Sequence, residues 1–381
     1  MMLEQILART SLPNAHPALV HFPIVLLSLA VLIECIALLR RSERPLQVAA
    51  VLLYVFGSIS AVLTWLSGRQ ASDSVGMVDA QTEILISEHS DFGMKTAWIF
   101  AVVALGHLAV VLLRRRVEKP VILVLRIVLL AAALFGFWLL MATADRGGAL
   151  VYRHGVAVRG RQDSSKETSA TSTESEDRAS ESQTTNSAQA PTPLMQSEDG
   201  AVAWRPKPGE SAALGEVVTV VRATPGAQVR VVDGAEAAEG LSIESSGRIF
   251  LLLPQEFDNV LVVADVDLSG FAGHVGLVHH FQSDSVYECM QLEDQGSAAL
   301  LDHGPDRKEQ LDRASAGWPA RRVRVAVSAA GSHLKGYVDG QTVVHGHRPV
   351  RGKPGRNGLM LDGEGRVRIL ELRLTSVPSE H

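Results

Sequence analysis

Four stretches of this chain are too long and too apolar for most soluble folds. They cover residues 18–39, 46–66, 94–113 and 120–142. Each offers about 20 residues, the length needed to cross roughly 30 Å of hydrocarbon. Lipid cannot hydrogen-bond the backbone, so each stretch must satisfy its own peptide groups as a helix. The leader "MMLEQILARTSLPNA" has mixed charge, and no small-residue cleavage site closes the first run. The first stretch is therefore expected to stay as a helix rather than to be removed as a signal. Helix three is expected to start well upstream, near Asp79. "VDAQTEILISEH" lacks Gly and Pro and carries apolar residues at helical spacing.

The loops set an orientation. "RRSER" (40–44) joins the first two stretches and "RRRVEK" (114–119) the last two. Both are short and basic, so both are expected in the cytoplasm. The N-terminus, the 67–93 loop and everything after 143 then lie outside. The chain's net charge of −5 argues against nucleic acid as a partner. The two cysteines, Cys35 and Cys289, fall in unlike halves and are not expected to pair.

This orientation gathers four histidines, His16, His21, His89 and His154, at the outer face. The first two open helix one in "NAHPALVHFPI", where Asn14 suits an N-cap and Pro17 a first helical turn. His89 sits in "SEHSDFG", and His154 follows helix four in "GGALVYRHGVAV".

"HPALVHFPI" (16–24), "EHSDFG" (88–93) and "GALVYRHGVAV" (148–158) resemble the signature blocks of the bacterial four-helix membrane family catalogued as domain-of-unknown-function 2231. The resemblance covers residues 13–158. It implies a multi-pass four-helix unit of the bacterial inner membrane; with the orientation set by the basic loops, the N-terminus and C-terminal domain are then expected in the periplasm. The family is distantly similar to two-haem b-type cytochromes and has no settled activity.

Three readings of the outer histidines stay open. One is a b-type haem between His21 and His89, with His16 or His154 in a supporting role. The second is a metal site drawing on His16, His21, His89 and Glu88. The third is a set of interfacial polar residues satisfied by water, headgroups and one another. Only His107 lies deep in the helices, so ligands for more than one haem are lacking.

Three ionisable residues share one depth. Glu34 lies six residues before Arg40, His107 seven before Arg114, and Arg126 seven after Lys119. At ~1.5 Å per residue, each is about 10 Å inside the cytoplasmic boundary. Charges there are costly and usually face a partner. Glu34 is expected to pair with Arg126, with His107 hydrogen-bonded nearby.

Residues 1–158 thus form a four-helix transmembrane domain. Residues 159–204, rich in Ser, Thr and Glu, read as a disordered linker. Residues 205–378 read as an extracytoplasmic β-sandwich of roughly a dozen strands. "VLVVADVDL" (260–268), "HVGLVHHF" (274–281), "VYECMQL" (286–292) and "RRVRVAVS" (321–328) are β-rich runs. Asp339-Gly340 marks a hairpin, and 358–374 reads as a closing strand pair.

The order of these runs resembles concanavalin-like jelly rolls of the laminin-G and glucanase type. Such domains commonly bind glycans or proteins, and some hydrolyse glycans. Hydrolysis needs two carboxylates about 5–9 Å apart. Glu288 and Glu293 are an odd five positions apart and fall on opposite faces of a regular strand. Binding is therefore favoured over catalysis. His279, His280, Tyr287, Trp318 and Tyr337 are candidates for a sugar platform, weighed against plain core packing.

Two functions follow. In one, the membrane unit is a haem or redox module and the outer domain docks a periplasmic redox partner. In the other, the helices are a non-redox anchor presenting a domain that binds envelope polysaccharide or protein.

Overall fold

The computed structural model describes residues 15–40, 44–156, 194–196, 200–232, 239–293, 296–305, 307–315, 322–348 and 353–376. Asn14, Trp318 and most of the linker lie outside them. The chain divides into two compact units. The first is Met1–Val75 with Leu85–Val158, and the second is Gly76–Ile84 with the chain from Arg159 onward.

The first unit holds α1 (His16–Leu39), α2 (Arg44–Ser74), α3 (Ala80–Leu113, counted here from Leu85) and α4 (Lys119–Tyr152). All four are long and apolar enough to cross a membrane. Their outward surface carries Phe22, Leu32, Phe56, Trp98, Leu105 and Phe135, all exposed. A water-facing bundle would bury such residues; here they suit lipid. The inward surface is built from small residues, including Ala30, Ala50, Ala97 and Ala133. These let helix backbones approach closely. Gly57 shows how closely: a Cβ there would fall 2.5 Å from Leu27 Cδ2. Helix three starts at Ala80, where the periodicity puts it. Helix four runs ten residues past the apolar stretch, through Gly147 and Gly148. Neighbouring helical residues carry those glycines.

The second unit is an antiparallel sheet of thirteen strands among the described residues. They are β1 (Met195–Gln196), β2 (Ala201–Trp204), β3 (Thr219–Arg222), β4 (Gln228–Val231), β5 (Leu241–Phe257), β6 (Val260–Ser283), β7 (Val286–Glu293), β8 (Ser297–His303), β9 (Lys308–Ser315), β10 (Arg322–Ala330), β11 (His333–Val338), β12 (Gln341–His347) and β13 (Gly355–Ser376). One short helix, α5 (Ala213–Glu216), precedes β3.

Three long strands turn this sheet into a sandwich. The first half of β6 pairs with β10 and with the end of β13; its second half pairs with β7 and the start of β13. One layer therefore runs β2-β13-β6-β10-β11-β12. The other runs β5-β13-β6-β7-β8-β9, with β3 and β4 on the free edge of β5. Val262, Ala264, Val325 and Leu334 of the first layer share one core with Leu277, Met290, Leu292 and Leu300 of the second. Gly336 marks the contact between layers, since a Cβ there would lie 2.6 Å from Met290 Sδ.

The sequence reading divides β6 into two strands and 358–374 into a pair. In the structure each is one continuous strand. The glycines at 270–273 and 363–365 bend the chain instead of reversing it. Gly273 and Gly365 have φ of 137° and 127°, and Cβ atoms there would strike Asp362 O at 2.4 Å and Gly270 O at 2.2 Å. The two strands cross at this corner with backbone against backbone, which only glycine permits. The sandwich also begins earlier than residue 205. β2 pairs with β13 and buries Trp204 completely, a strand too short for alternation to reveal.

Candidate functional site

In the first unit, the histidine pair that meets is His16 and His89. Their ring centroids are 6.2 Å apart with planes at 87°. His21 is exposed instead, so it does not form the expected pair with His89. Five residues after His16 on one helix, it points about 140° away. His154 is half-buried beyond the end of α4.

Both paired rings are anchored through Nδ1. His16 Nδ1 lies 3.1 Å from Thr64 O and 3.2 Å from Ser67 Oγ on α2. His89 Nδ1 lies 3.0 Å from Thr143 O on α4. A carbonyl only accepts, so Nδ1–H donates and Nε2 carries the lone pair in both rings. That tautomer makes Nε2 the nitrogen that could ligate a metal. Glycines on α2 and α4 back the rings: Cβ atoms at Gly68 and Gly147 would lie 3.0 and 2.9 Å from the Cε1 atoms of His16 and His89. Beside His89, Glu88 accepts from Arg146 Nε at 3.1 Å, and Arg146 stacks over Phe92 at 4.0 Å.

Deeper in this unit, Arg126 donates to Glu34 Oε1 from Nε at 3.1 Å and Nη2 at 2.8 Å. His107 does not join that pair through a hydrogen bond. Its ring stacks on Tyr54 at 4.9 Å, and its buried Nε2 has no hydrogen-bond partner among the described residues.

In the sandwich, four of the five sugar-platform candidates are buried: His279, His280, Tyr287 and Tyr337 are each at most 4% exposed. None presents an open face to a sugar ring, because each lies where the layers or their covering segments pack. Trp318 lies outside the described residues. Tyr287 packs edge-on to Phe250 and stacks on His303. Tyr337 donates to Glu83 Oε2 at 3.0 Å, a residue of the Gly76–Ile84 segment that belongs to this unit.

His279 and His280 meet over Glu288. Their Nδ1 atoms are 3.2 and 3.1 Å from Glu288 Oε2. The left-handed backbone at His280 (φ 53°) swings it to the same side as its neighbour. Arg348 fills the centre: its Nη1 donates to Glu288 Oε1 at 2.6 Å, contacts Oε2 as well, and lies 3.1 Å from His280 Nδ1. The guanidinium occupies the place a metal cation would take. Burial alone would raise the Glu288 carboxyl. The two histidine hydrogen bonds and the Arg348 charge outweigh it and hold Glu288 well below the usual carboxylate range. Burial pushes His279 down to about 4, against the pull of Glu288.

Other strand carboxylates are committed in the same way. Arginine contacts hold Asp362 (Arg248, 2.6 Å), Asp265 (Arg322, 2.6 Å), Asp267 (Arg368, 2.6 Å), Glu371 (Arg205, 2.9 Å) and Glu293 (Arg313). Asp302, opposite Glu288 on β8, also meets an arginine, Arg307 at 3.5 Å, but burial and then the Glu288 charge raise its carboxyl.

Two features carry no advance notice from composition. One is a cleft between α5, β3 and β4, lined by Ser211, Leu214, Thr219, Arg222, Val229 and Arg230. The other is a cluster of His333, His345 and His347 on the β11–β12 hairpin. Its signal was available in the sequence as "VVHGH", two histidines two positions apart on a strand.

Residues 13–160 match the family described as "Predicted membrane protein (DUF2231)". Comparison with curated proteins gives no match. Similar solved structures include the carbohydrate-binding module CBM66 from Bacillus subtilis, at 14% identity, covering 42% of this chain and 98% of that one, with a TM-score of 0.35. A Bacillus subtilis protein of unknown function with a galectin-like fold shows 9% identity over 42% of this chain and 89% of its own, TM-score 0.33. A Bacillus licheniformis β-glucanase shows 11% identity over 43% of this chain and 100% of its own, TM-score 0.30.

Proposed function

We propose that this protein is a membrane-anchored binding protein of the bacterial envelope. Four helices hold it in the inner membrane, and the sandwich, on the periplasmic side, binds a polysaccharide without cleaving it. The observation that carries this reading is the pairing of Glu288, Glu293, Asp265, Asp267, Asp362 and Glu371 with arginine. Glycoside hydrolysis needs one carboxyl that can give up a proton and a second that is free to attack or to activate water. Glu288 is buried, is held ionised and so cannot give up a proton, and has both oxygens engaged by Arg348, His279 and His280, which leaves none free to attack. Among the described residues of the sandwich, Asp302 is the carboxyl held raised, and its neighbour across the strands is that same blocked Glu288.

The cleft between α5, β3 and β4 is the binding site in this reading. Ser211 and Thr219 offer hydroxyls, Leu214 and Val229 an apolar floor, and Arg222 positive charge, while Arg230 is paired with Glu244. A few polar groups over an apolar floor is the usual chemistry of a ligand cleft. Arginine on its rim selects an acidic polymer. Titration calorimetry on the full-length protein in nanodiscs tests this with an acidic and a neutral polysaccharide. The acidic polymer should bind, and Arg222→Ala should weaken it at least several-fold. Equal binding of both polymers, or an unchanged variant, would remove the cleft from the account; binding of an envelope protein instead would change the ligand class.

One observation favours a second role, in the membrane unit. His16 and His89 stand 6.2 Å apart, both with the lone pair on Nε2. The pair could hold a single metal ion or one b-type haem, which would supply one-electron chemistry. His16→Ala and His89→Ala should each abolish a Soret band that His21→Ala leaves in place. A colourless wild type expressed with ample haem would rule out the haem.

A further inference from the structure

We propose that His333, His345 and His347 form a binding site for a divalent transition-metal ion, with Zn²⁺ the leading candidate. The site is independent of the polysaccharide reading and of the membrane histidines.

The strand register builds it. His333 on β11 pairs directly with His347 on β12, and His345 pairs with Lys335. Residues two apart on a strand share a face, so His345 and His347 point the same way as His333. The three rings converge. Their centroids are 4.4 Å apart for His333 and His347, 4.8 Å for His345 and His347, and 5.6 Å for His333 and His345. One ligand nitrogen from each lies within 4.8 Å of the other two. His333 Nδ1 and His345 Nε2 are 3.3 Å apart.

These separations fit a metal. Two nitrogens bound at ~2.0–2.1 Å on adjacent corners of a tetrahedron are about 3.3 Å apart. The His333–His345 edge already has this length. The third ring's nitrogen lies within 4.8 Å of both. Three nitrogen ligands leave one corner open, as in three-histidine zinc sites that hold water. Imidazole donors favour Zn, Cu, Ni or Fe over Mg or Ca.

The surroundings permit a cation. Lys335 lies on the same strand face, and its ammonium is neutralised by Glu83 at 2.9 Å. The backbone N–H of His345 donates to Asp312 Oδ2 at 2.8 Å, which brings a carboxylate to the strand beside the site. Burial is graded. His333 is 3% exposed, His345 is half-buried and His347 is exposed, so the site has a fixed floor and an open mouth. The other convergent histidine group, His279 and His280 with Glu288, has its centre filled by Arg348 and is not expected to bind.

The test uses the full chain in detergent, stripped with a chelator and titrated with Zn²⁺. His16→Ala/His89→Ala serves as the background, so the membrane pair cannot contribute. One Zn²⁺ should bind per chain and raise the melting temperature. His347→Ala removes an exposed side chain and should leave the fold intact. It should weaken binding by more than about 100-fold, beyond the 10–100-fold typical of outer-shell changes. His345→Ala should do the same, and both should abolish the thermal shift. Absence of stoichiometric binding, or binding and thermal shift that survive both substitutions, would overturn the site.

Discussion

Glu34 and Arg126 face each other with side chains 1% and 11% exposed, inside a unit whose outer surface is apolar. Counting residues inward from the basic loops puts them at one depth, because helix rise is regular. The same count could not tell that His107 would stack on Tyr54, since ring contacts depend on rotamers that periodicity does not encode. A buried pair is costly to assemble but far worse to break singly. Glu34→Gln or Arg126→Met alone should destabilise the membrane unit by roughly 3–5 kcal/mol, and the double substitution should recover most of that loss. Additive losses in thermal melts of the detergent-solubilised protein would mean the residues act separately. His279 gives the sandwich an acid-sensitive point. Its folded value, lowered to about 4, lies below the ordinary 6.5, so the unfolded chain takes up the proton first. The contribution is therefore complete above about pH 6.5 and is lost as pH falls toward 4. At 1.36 kcal/mol per pKa unit it amounts to about 3 kcal/mol. Urea titrations at pH 7.5 and pH 5 should show the sandwich weaker at pH 5. His279→Gln should reduce the difference, and the half-buried His303, lowered to about 4 as well, should keep part of it.

At the level of elements, local chemistry was readable where one residue type has one use. Asp339-Gly340 forms the β11–β12 turn with φ of 48° and 78°, the left-handed pair that such a hairpin demands. The glycines at 270–273 and 363–365 were read as breaks, since a glycine that bends a strand looks the same in sequence as one that ends it. What separates the cases is the opposing backbone, which is a long-range fact. Gly365 tests this corner. Its Cβ would meet Gly270 O at 2.2 Å, at a φ unsuited to any other residue. Gly365→Ala should destabilise the sandwich by about 2–4 kcal/mol. Gly340→Ala, where a Cβ meets nothing, should cost only the strain of its positive φ. Equal losses in urea midpoints would argue against a crowded corner.

Across the whole chain, the division into apolar helices and an antiparallel β domain was legible because each half obeys one strong rule: twenty-residue apolar runs in one, alternation and turn residues in the other. The sites were not. His16 rather than His21 meets His89, and Arg348 plugs the His279–His280–Glu288 group, because both depend on which way a side chain faces in three dimensions. The proposed orientation carries its own check. Reporter fusions at Ser42 and Val117 should report cytoplasm, and fusions at Gln70 and Ser197 the opposite side. The central claim, a membrane-borne sandwich that binds sugar without cutting it, is tested most directly in one assay. The full-length protein in nanodiscs is incubated with an acidic polysaccharide, and retained polymer and new reducing ends are counted in the same tubes. Polymer should be retained with no rise in reducing ends. Reducing ends that accumulate with time, and stop accumulating in Glu288→Gln or Asp302→Asn, would contradict it.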